Sequence, residues 1–312
     1  MSLSVYPTIP TRPAFSASSR RPIRDLSSTF LVLLYKIKHN MLRFISFGSG
    51  SSGNCYLLFT DTDCLMIDCG VGIRTLKKHF NQYGIKLDHV KHIILTHDHA
   101  DHVKSVGSLS GDCHIPVFAT TDVHRGVHGN WCVRRKINKE NLFYLEKGET
   151  QQIGEFTVTS FAVPHDSTDC TGYSIVCEGV RFGLITDCGH ITDEIKQCIA
   201  QSQYLVLEAN YEPEKLAQGA YPRHLKERIC GPNGHLSNNE CAQALVENAS
   251  PALRHVWLCH LSDENNHPEL ARLTVETILR SHGIIPGKDF QLDVLKRKSP
   301  SGIYELKAEK EE

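Results

Sequence analysis

Residues 93 to 103 read IILTHDHADHV, and within them three histidines and two aspartates occupy six consecutive positions directly after an apolar run. Imidazole and carboxylate together suit a borderline divalent cation such as zinc, with manganese or iron accepted by the same atoms. Open sets of this kind leave a coordination position for water, where closed thiolate sets do not. His97, His99, Asp101 and His102 are too many for one ion to use at once, so their density points to two neighbouring ions. Such a pair needs further ligands, and the sequence offers three in the same setting: His165 in AVPHD, Asp187 in LITDCG and His260 in WLCHLS, each closing an apolar strand. A lone polar residue at a strand end is usually the strand entering solvent, but three of them beside a histidine cluster read together as a site. Two cations roughly 3.5 to 4 Å apart can share a hydroxide, which makes a nucleophile at neutral pH and braces both the attacking and the leaving oxygens of a displacement.

Strand ends on a rigid scaffold are the means of aiming these side chains at one point. From Met41 onward short apolar strands alternate with glycine-containing and polar turns: LRFISF, CYLLF and CLMIDCG, then HIILT leading into the histidines, and later EFTVTSFAVPH, GYSIVCEG with VRFGLITD, YLVLEAN and HVWLCHL. Helices are predicted near residues 72 to 83, 192 to 201, 237 to 248 and 268 to 282. Ser237 with Glu240 three positions on fits a capping box, and Pro268 suits a first helical position. No internal repeat or long linker follows Met41, so residues 41–308 are expected to form one domain and 309–312 a short tail. Residues 1–40, rich in Ser, Pro and Arg and without periodicity, are expected to be a disordered tail. Their FLVLLYKI run is too short to cross a bilayer, and no membrane association is expected.

The 312 residues carry a formal net charge of -1, so no overall basic field recruits nucleic acid and any such binding must come from a local patch. Two stretches qualify. In HRGVHGNWCVRRKINK, Arg125, Arg134, Arg135, Lys136 and Lys139 surround Trp131; in YPRHLKERI stand Arg223, Lys226 and Arg228. Phosphate contacts plus one aromatic stacker suit a nucleic-acid end, although a solvated basic loop explains the same letters. The twelve cysteines are scattered singly, with no CxxC pair and no secretory signal ahead of them, which reads as reduced thiols in a cytoplasmic protein.

The series His97-x-His99-x-Asp101-His102, followed in order by His165, Asp187 and His260, resembles the metallo-β-lactamase superfamily, and the likeness extends over essentially all of residues 41 to 308. The resemblance implies an α/β fold, a four-layer αββα sandwich with a binuclear metal site at one edge of its two sheets. It further implies that His97, His99 and His165 hold the first ion, that Asp101, His102 and His260 hold the second, that Asp187 bridges them, and that Asp101 also orients the hydroxide. The combination of GSGSSGN, THDHADH, VPHD, LEANY, GHLSN and CHLSDENNHPELA is similar to the YycJ/WalJ-like branch, related to RNase Z-type phosphodiesterases. That likeness implies 5′-to-3′ exonuclease action on double-stranded DNA and, through gene neighbourhood, a link to a two-component regulatory system.

Superfamily members cleave lactams, thioesters and phosphodiesters, so residues outside the ligand set must decide the bond. The segment beginning EANYEPEK and ending GHLSNNECA resembles the phosphodiesterase branches, in which a strand-end glutamate supports a histidine; the matching residues are Glu208 and His235. A departing alkoxide is a poor leaving group and needs a proton, which a carboxylate-supported histidine supplies near neutral pH. His235 is therefore expected as general acid with Glu208 as its partner, the alternative being that His235 only closes a glycine-containing loop ahead of a capped helix. In FGSGSSGNCY, exposed amides and the hydroxyls of Ser49, Ser51 and Ser52 are candidates to cradle a substrate phosphate, a plain hairpin explains the composition equally well, and Asn54 reads as a structural turn residue. Only a hairpin fits between His165 and Asp187, and the interval from Asp187 to His260 is too short for a large inserted domain, so substrate grip must be local. The expectation is a dinuclear metal-dependent phosphodiester hydrolase acting on DNA. A small or cyclic phosphodiester, a thioester or lactam, and a non-catalytic, metal-stabilised regulatory interaction module are the alternatives.

Overall fold

Apolar runs interrupted by tight turns become two seven-stranded sheets in the computed structural model, which describes residues 41–308; the expected tails, 1–40 and 309–312, lie outside the described residues. In chain order the first sheet holds β1 (Leu42–Gly48), β2 (Cys55–Phe59), β3 (Cys64–Ile67), β4 (His92–Ile94), β5 (Val117–Ala119) and β6 (Leu142–Tyr144). The second holds β7 (Thr150–Ile153), β8 (Phe156–Ala162), β9 (Thr171–Cys177), β10 (Val180–Ile185), β11 (Tyr204–Glu208), β12 (His255–Cys259) and β13 (Gln291–Val294), while β14 (Tyr304–Leu306) returns to pair with β1.

Neighbouring residues of one strand enter different cores, because side chains alternate across a pleated sheet. Phe44, Tyr56, Leu58, Phe182, Val206 and Trp257 meet between the sheets. Their neighbours Ile45, Leu57 and Met66 face outward from the first sheet, under α1 (Ile73–Gln82), α2 (Ala100–Val103), α3 (Val106–Cys113) and α4 (Thr121–Gly129). Leu205, Leu207, Val256 and Leu258 face outward from the second, under α5 (Asp193–Gln201). Past the short helices α6 (Pro213–Gln218) and α7 (Arg223–Ile229), α8 (Asn238–Asn248) and α9 (Pro268–Ser281) complete that layer. Burial on both faces explains why the central strands read as continuous apolar runs rather than alternating ones. The result is the expected αββα sandwich, α/β in class. Among the described residues no helix is long and apolar enough to cross a membrane, and all twelve cysteines are free.

Trp257 clamps the two sheets, its ring centroid 4.7 Å from that of Phe44 and 6.3 Å from that of Phe182. Its truncation to alanine is expected to destabilise the fold by about 3–5 kcal/mol, read as a fall in the urea midpoint at unchanged slope.

Strand direction decides where chemistry collects. β10, β11 and β12 are mutually parallel, and β9 is antiparallel to both β8 and β10, so β8, β10, β11 and β12 all end at one edge. In the first sheet β3, β4 and β5 are parallel. The sheets are stitched beside that edge: Thr171 N donates to Thr96 O at 2.9 Å and Tyr173 Oη to Leu95 O at 2.5 Å.

Candidate metal centre

Each of the seven expected ligands lies just past a strand end or in the short helix that follows β4. His97 follows Thr96 beyond β4, His99 caps α2, and Asp101 and His102 lie within it. His165, Asp187 and His260 stand beyond β8, β10 and β12. Asp187 and His260 both have φ 52°, as Asp68 beyond β3 has φ 60°. Left-handed backbone costs a non-glycine residue about 1–3 kcal/mol and collects at functional sites. The bend after β3 also needs Gly70, where an added Cβ would fall 1.5 Å from Asp101 O.

Ligand atoms of His97, His99 and His165 lie within 4.8 Å of one another, as do those of Asp101, His102 and His260, and those of His97, His102 and Asp187. Asp187 sits between the sets: its Oδ2 is 3.2 Å from His102 Nε2, and its Oδ1 is 3.4 Å from His260 Nδ1 and 3.7 Å from His165 Nε2. The histidines are held from behind. His102 Nδ1 meets Asp68 Oδ2 at 2.7 Å, His165 Nδ1 meets Gly234 O at 3.1 Å, His97 Nδ1 meets Thr96 Oγ1 at 3.0 Å and His260 Nδ1 meets Glu208 Oε1 at 2.9 Å. Anchoring one ring nitrogen orients the other for a cation. The fit is tested by His97 Nε2, which is buried and finds no hydrogen-bond partner within the protein. A buried imidazole nitrogen facing two further histidines and an aspartate suits a divalent cation, because an unmade polar contact there is costly.

Burial drives the His97 and His165 rings toward the neutral form that can ligate. Burial acts the same way on His102, but Asp68, Asp187 and Asp101 outweigh it and raise that ring to about 10. Burial likewise opposes charge on Asp187, yet His260 and His102 hold its carboxyl well below the usual range. Cations reaching these nitrogens compete with protons, so binding is expected to release them.

Asp68 was not singled out from the sequence, although it closes CLMIDCG just as Asp187 closes LITDCG. It also accepts from Thr96 N at 2.9 Å and Thr96 Oγ1 at 2.8 Å. Asp68→Ala is expected to weaken metal affinity about 10- to 100-fold in competition with a chromogenic chelator.

Glu208 is fully buried and holds two histidines with one oxygen: Oε1 lies 2.9 Å from His235 Nδ1 and 2.9 Å from His260 Nδ1, while Oε2 accepts from Cys188 N and Leu236 N. Burial would raise its carboxyl, but His235 and the hydrogen bonds from His235 and His260 bring it down to about 2. Burial lowers the His235 ring and Glu208 more than reverses that, a net rise. Asn210 Nδ2 donates to His260 O at 2.7 Å, another contact that sequence did not suggest.

The serine loop divides. Ser49 is buried, its Oγ 3.0 Å from Tyr56 Oη and accepting from His260 N at 3.0 Å; Ser51 and Ser52 are exposed. Asn54 does more than turn the chain, since its Oδ1 accepts from Gly50 N and its Nδ2 lies within 3.4 Å of Asp101 Oδ2. Lys296–Lys298, missed in the sequence, pack on this loop through Ser49 N to Lys296 O at 3.1 Å. In the expected basic patches most charges have partners: Arg125 with Asp122, Arg135 with Asp112, Arg223 with Glu227 and Arg228 with Asp166. Lys136 donates to Asn130 O and Lys226 to Ala217 O, while among the described residues Arg134 and Lys139 make no ion pair.

Residues 64–260 match the model of the Beta-lactamase superfamily domain. The chain is 32% identical over 265 residues to "Exodeoxyribonuclease YycJ" of Bacillus anthracis, covering 84% of this chain and 98% of that protein. It is 30% identical over 244 residues to "Exodeoxyribonuclease WalJ" of Streptococcus pneumoniae, covering 78% and 90%. Among solved structures, the metallo-beta-lactamase fold protein YhfI from Bacillus subtilis aligns with a TM-score of 0.64 at 16% identity, covering 85% of this chain and 100% of that one, a likeness of fold.

Proposed function

Because the chain belongs to the beta-lactamase superfamily, we propose that its strand-end cluster serves a metal-dependent phosphodiester hydrolase that degrades double-stranded DNA from 5′ ends. The observation that carries this reading is the Glu208–His235 pair at 2.9 Å, set at the rim of a full His and Asp ligand set. Lactam and thioester cleavage gives such a proton-donating pair no evident task. The names of the two relatives support the choice of DNA.

His97, His99 and His165 would hold one divalent cation, and Asp101, His102 and His260 a second, with Asp187 between them and zinc the first candidate. When bound, such ions supply Lewis acidity, lowering the pKa of water and offsetting charge on phosphoryl oxygens. The remaining work falls to protein groups. Asp101, partly exposed, accepts a hydrogen bond from the attacking water and fixes its direction. His235, whose Nδ1–H is donated to the Glu208 carboxylate, delivers the proton of its other nitrogen to the leaving oxygen. Ser51 and Ser52 meet substrate at the exposed loop tip, and Ser49 behind them fixes His260.

The test is digestion of end-labelled duplex DNA, single-stranded DNA, RNA and a chromogenic phosphodiester with defined metals. Release of nucleotides from the 5′ end of duplex DNA is expected; a fully metal-loaded protein that turns over no phosphodiester would refute the reading. Salt gives a further prediction. With most basic side chains of the two patches already engaged, the slope of log K against log salt for duplex binding is expected near −2, about two phosphate contacts. A slope of zero would remove the local patches from the account.

A further inference from the structure

We propose that the cleft beside His99 is a nucleobase subsite, in which Trp131 stacks on a base at the nucleic-acid end next to the scissile phosphate. The inference rests on the phosphodiesterase reading and extends it to how the substrate end is seated. The cleft has a volume of ≈ 620 Å³ and is lined by Asp98, His99, Arg125, Gly126, Gly129 and Trp131, among others. His99 lines the cleft and also belongs to the candidate ligand set, so the cleft adjoins the metal centre. Its size lies within the span of small-ligand pockets, about 300–1,000 Å³, which suits a nucleoside rather than a duplex.

Trp131 is 86% exposed, more than any other large apolar side chain among the described residues. An indole left in water gains nothing from the core, so its place is not explained by packing. The chain that carries it is nevertheless fixed. Asn130 Nδ2 donates to Asp98 O at 2.7 Å, Cys132 N donates to Asn130 Oδ1 at 2.9 Å, and Lys136 Nζ donates to Asn130 O at 2.8 Å. Asp98 in turn accepts from Thr168 Oγ1 at 2.6 Å. The backbone that carries the indole is thereby tied to the loop that bears His97 and His99. Two glycines line the cleft with Trp131: Gly126 lies against the Asp98 carboxylate, where a Cβ would fall 2.0 Å from Oδ2, and a Cβ at Gly129 would meet nothing within 4 Å. An exposed indole beside small residues offers a π-face on which a base can stack. Stacking of that kind accepts every base, which an enzyme digesting arbitrary sequence requires. Arg125, which lines the cleft and stays exposed although paired with Asp122, supplies a cation for the adjoining phosphate.

The two tryptophans make the test specific, because Trp257 is 0% exposed and only Trp131 can report a ligand. Metal-loaded protein is titrated with a duplex whose end linkages are phosphorothioates and whose far end carries a fluorophore, following anisotropy and tryptophan emission together. Emission is expected to fall as anisotropy rises in the wild type, with no such fall in Trp131→Phe. Trp131→Ala is expected to bind about 10- to 100-fold more weakly, Trp131→Phe to recover most of the loss, and a duplex with abasic ends to bind wild type and Trp131→Ala alike. Equal affinity of wild type and Trp131→Ala for the intact duplex overturns the subsite and leaves the phosphodiesterase reading standing. A metal-loaded wild type that neither binds nor cleaves DNA overturns that reading, and the subsite with it.

Discussion

Asp187→Asn is expected to reduce the metal content from two ions to one or none and to lower phosphodiester turnover by about 10³-fold or more. Asp187 is the carboxylate on which the cluster converges, within 3.8 Å of His102, His165, His235 and His260. Thr186 Oγ1 fixes it with a 2.8 Å bond to Oδ2. Asparagine preserves the shape and tolerates the left-handed backbone at φ 52°, so the fold should survive while the bridging charge is lost. Losing several kcal/mol of charge stabilisation, at 1.36 kcal/mol per tenfold in rate, gives the stated size. Elemental analysis after dialysis, beside steady-state rates, decides the matter. Two retained ions with unchanged turnover would show that Asp187 does not lie between cations.

What the sequence disclosed depended on whether a feature was local. The candidate ligands could be picked out because each follows an apolar run, so residue type and strand end coincide at His165, Asp187 and His260. The helix predicted at 237 to 248 is found as Asn238–Asn248 with the Ser237–Glu240 capping box formed, a signal confined to four residues. Three-residue strands such as β5 and β6 carry too few side chains for a period to show. The helix Val106–Cys113 was hidden by Gly107 and Gly111, which argue against helix until the crossing chain is seen: a Cβ on Gly107 would lie 1.6 Å from Arg135 O. Long-range pairing was hidden for the same reason: Asp166, which meets Arg228, lies 62 positions away, and the hydroxyl of Ser49, a candidate phosphate contact, accepts from His260 N, 211 positions on. Asp68 shows the remaining failure, a strand-end carboxylate read as part of the strand because its histidine partner lies 34 positions on.

His235→Ala and Glu208→Gln separate proton transfer from ligand positioning. His235→Ala is expected to lower kcat on DNA by about 10²- to 10⁴-fold while both ions stay bound, since a general acid contributes on that scale. Glu208 also holds His260 at 2.9 Å, so Glu208→Gln is expected to weaken metal affinity as well. The pH profile carries a sign. A general acid must be protonated, so kcat falls as pH rises through the His235 pKa; burial works to lower that pKa, but Glu208 raises it on balance. The alkaline limb should therefore lie above the ordinary histidine value of about 6.5 in the wild type, move down in Glu208→Gln and vanish in His235→Ala. A chromogenic diester releasing 4-nitrophenolate needs little protonation, so His235→Ala should spare it far more than DNA. Ligand atoms of Asp187, Glu208, His235 and His260 also lie within 4.8 Å of one another, which gives the competing outcome a definite form. If His235→Ala loses an ion and slows both substrates equally, His235 is a ligand, and the leaving oxygen must take its proton from elsewhere.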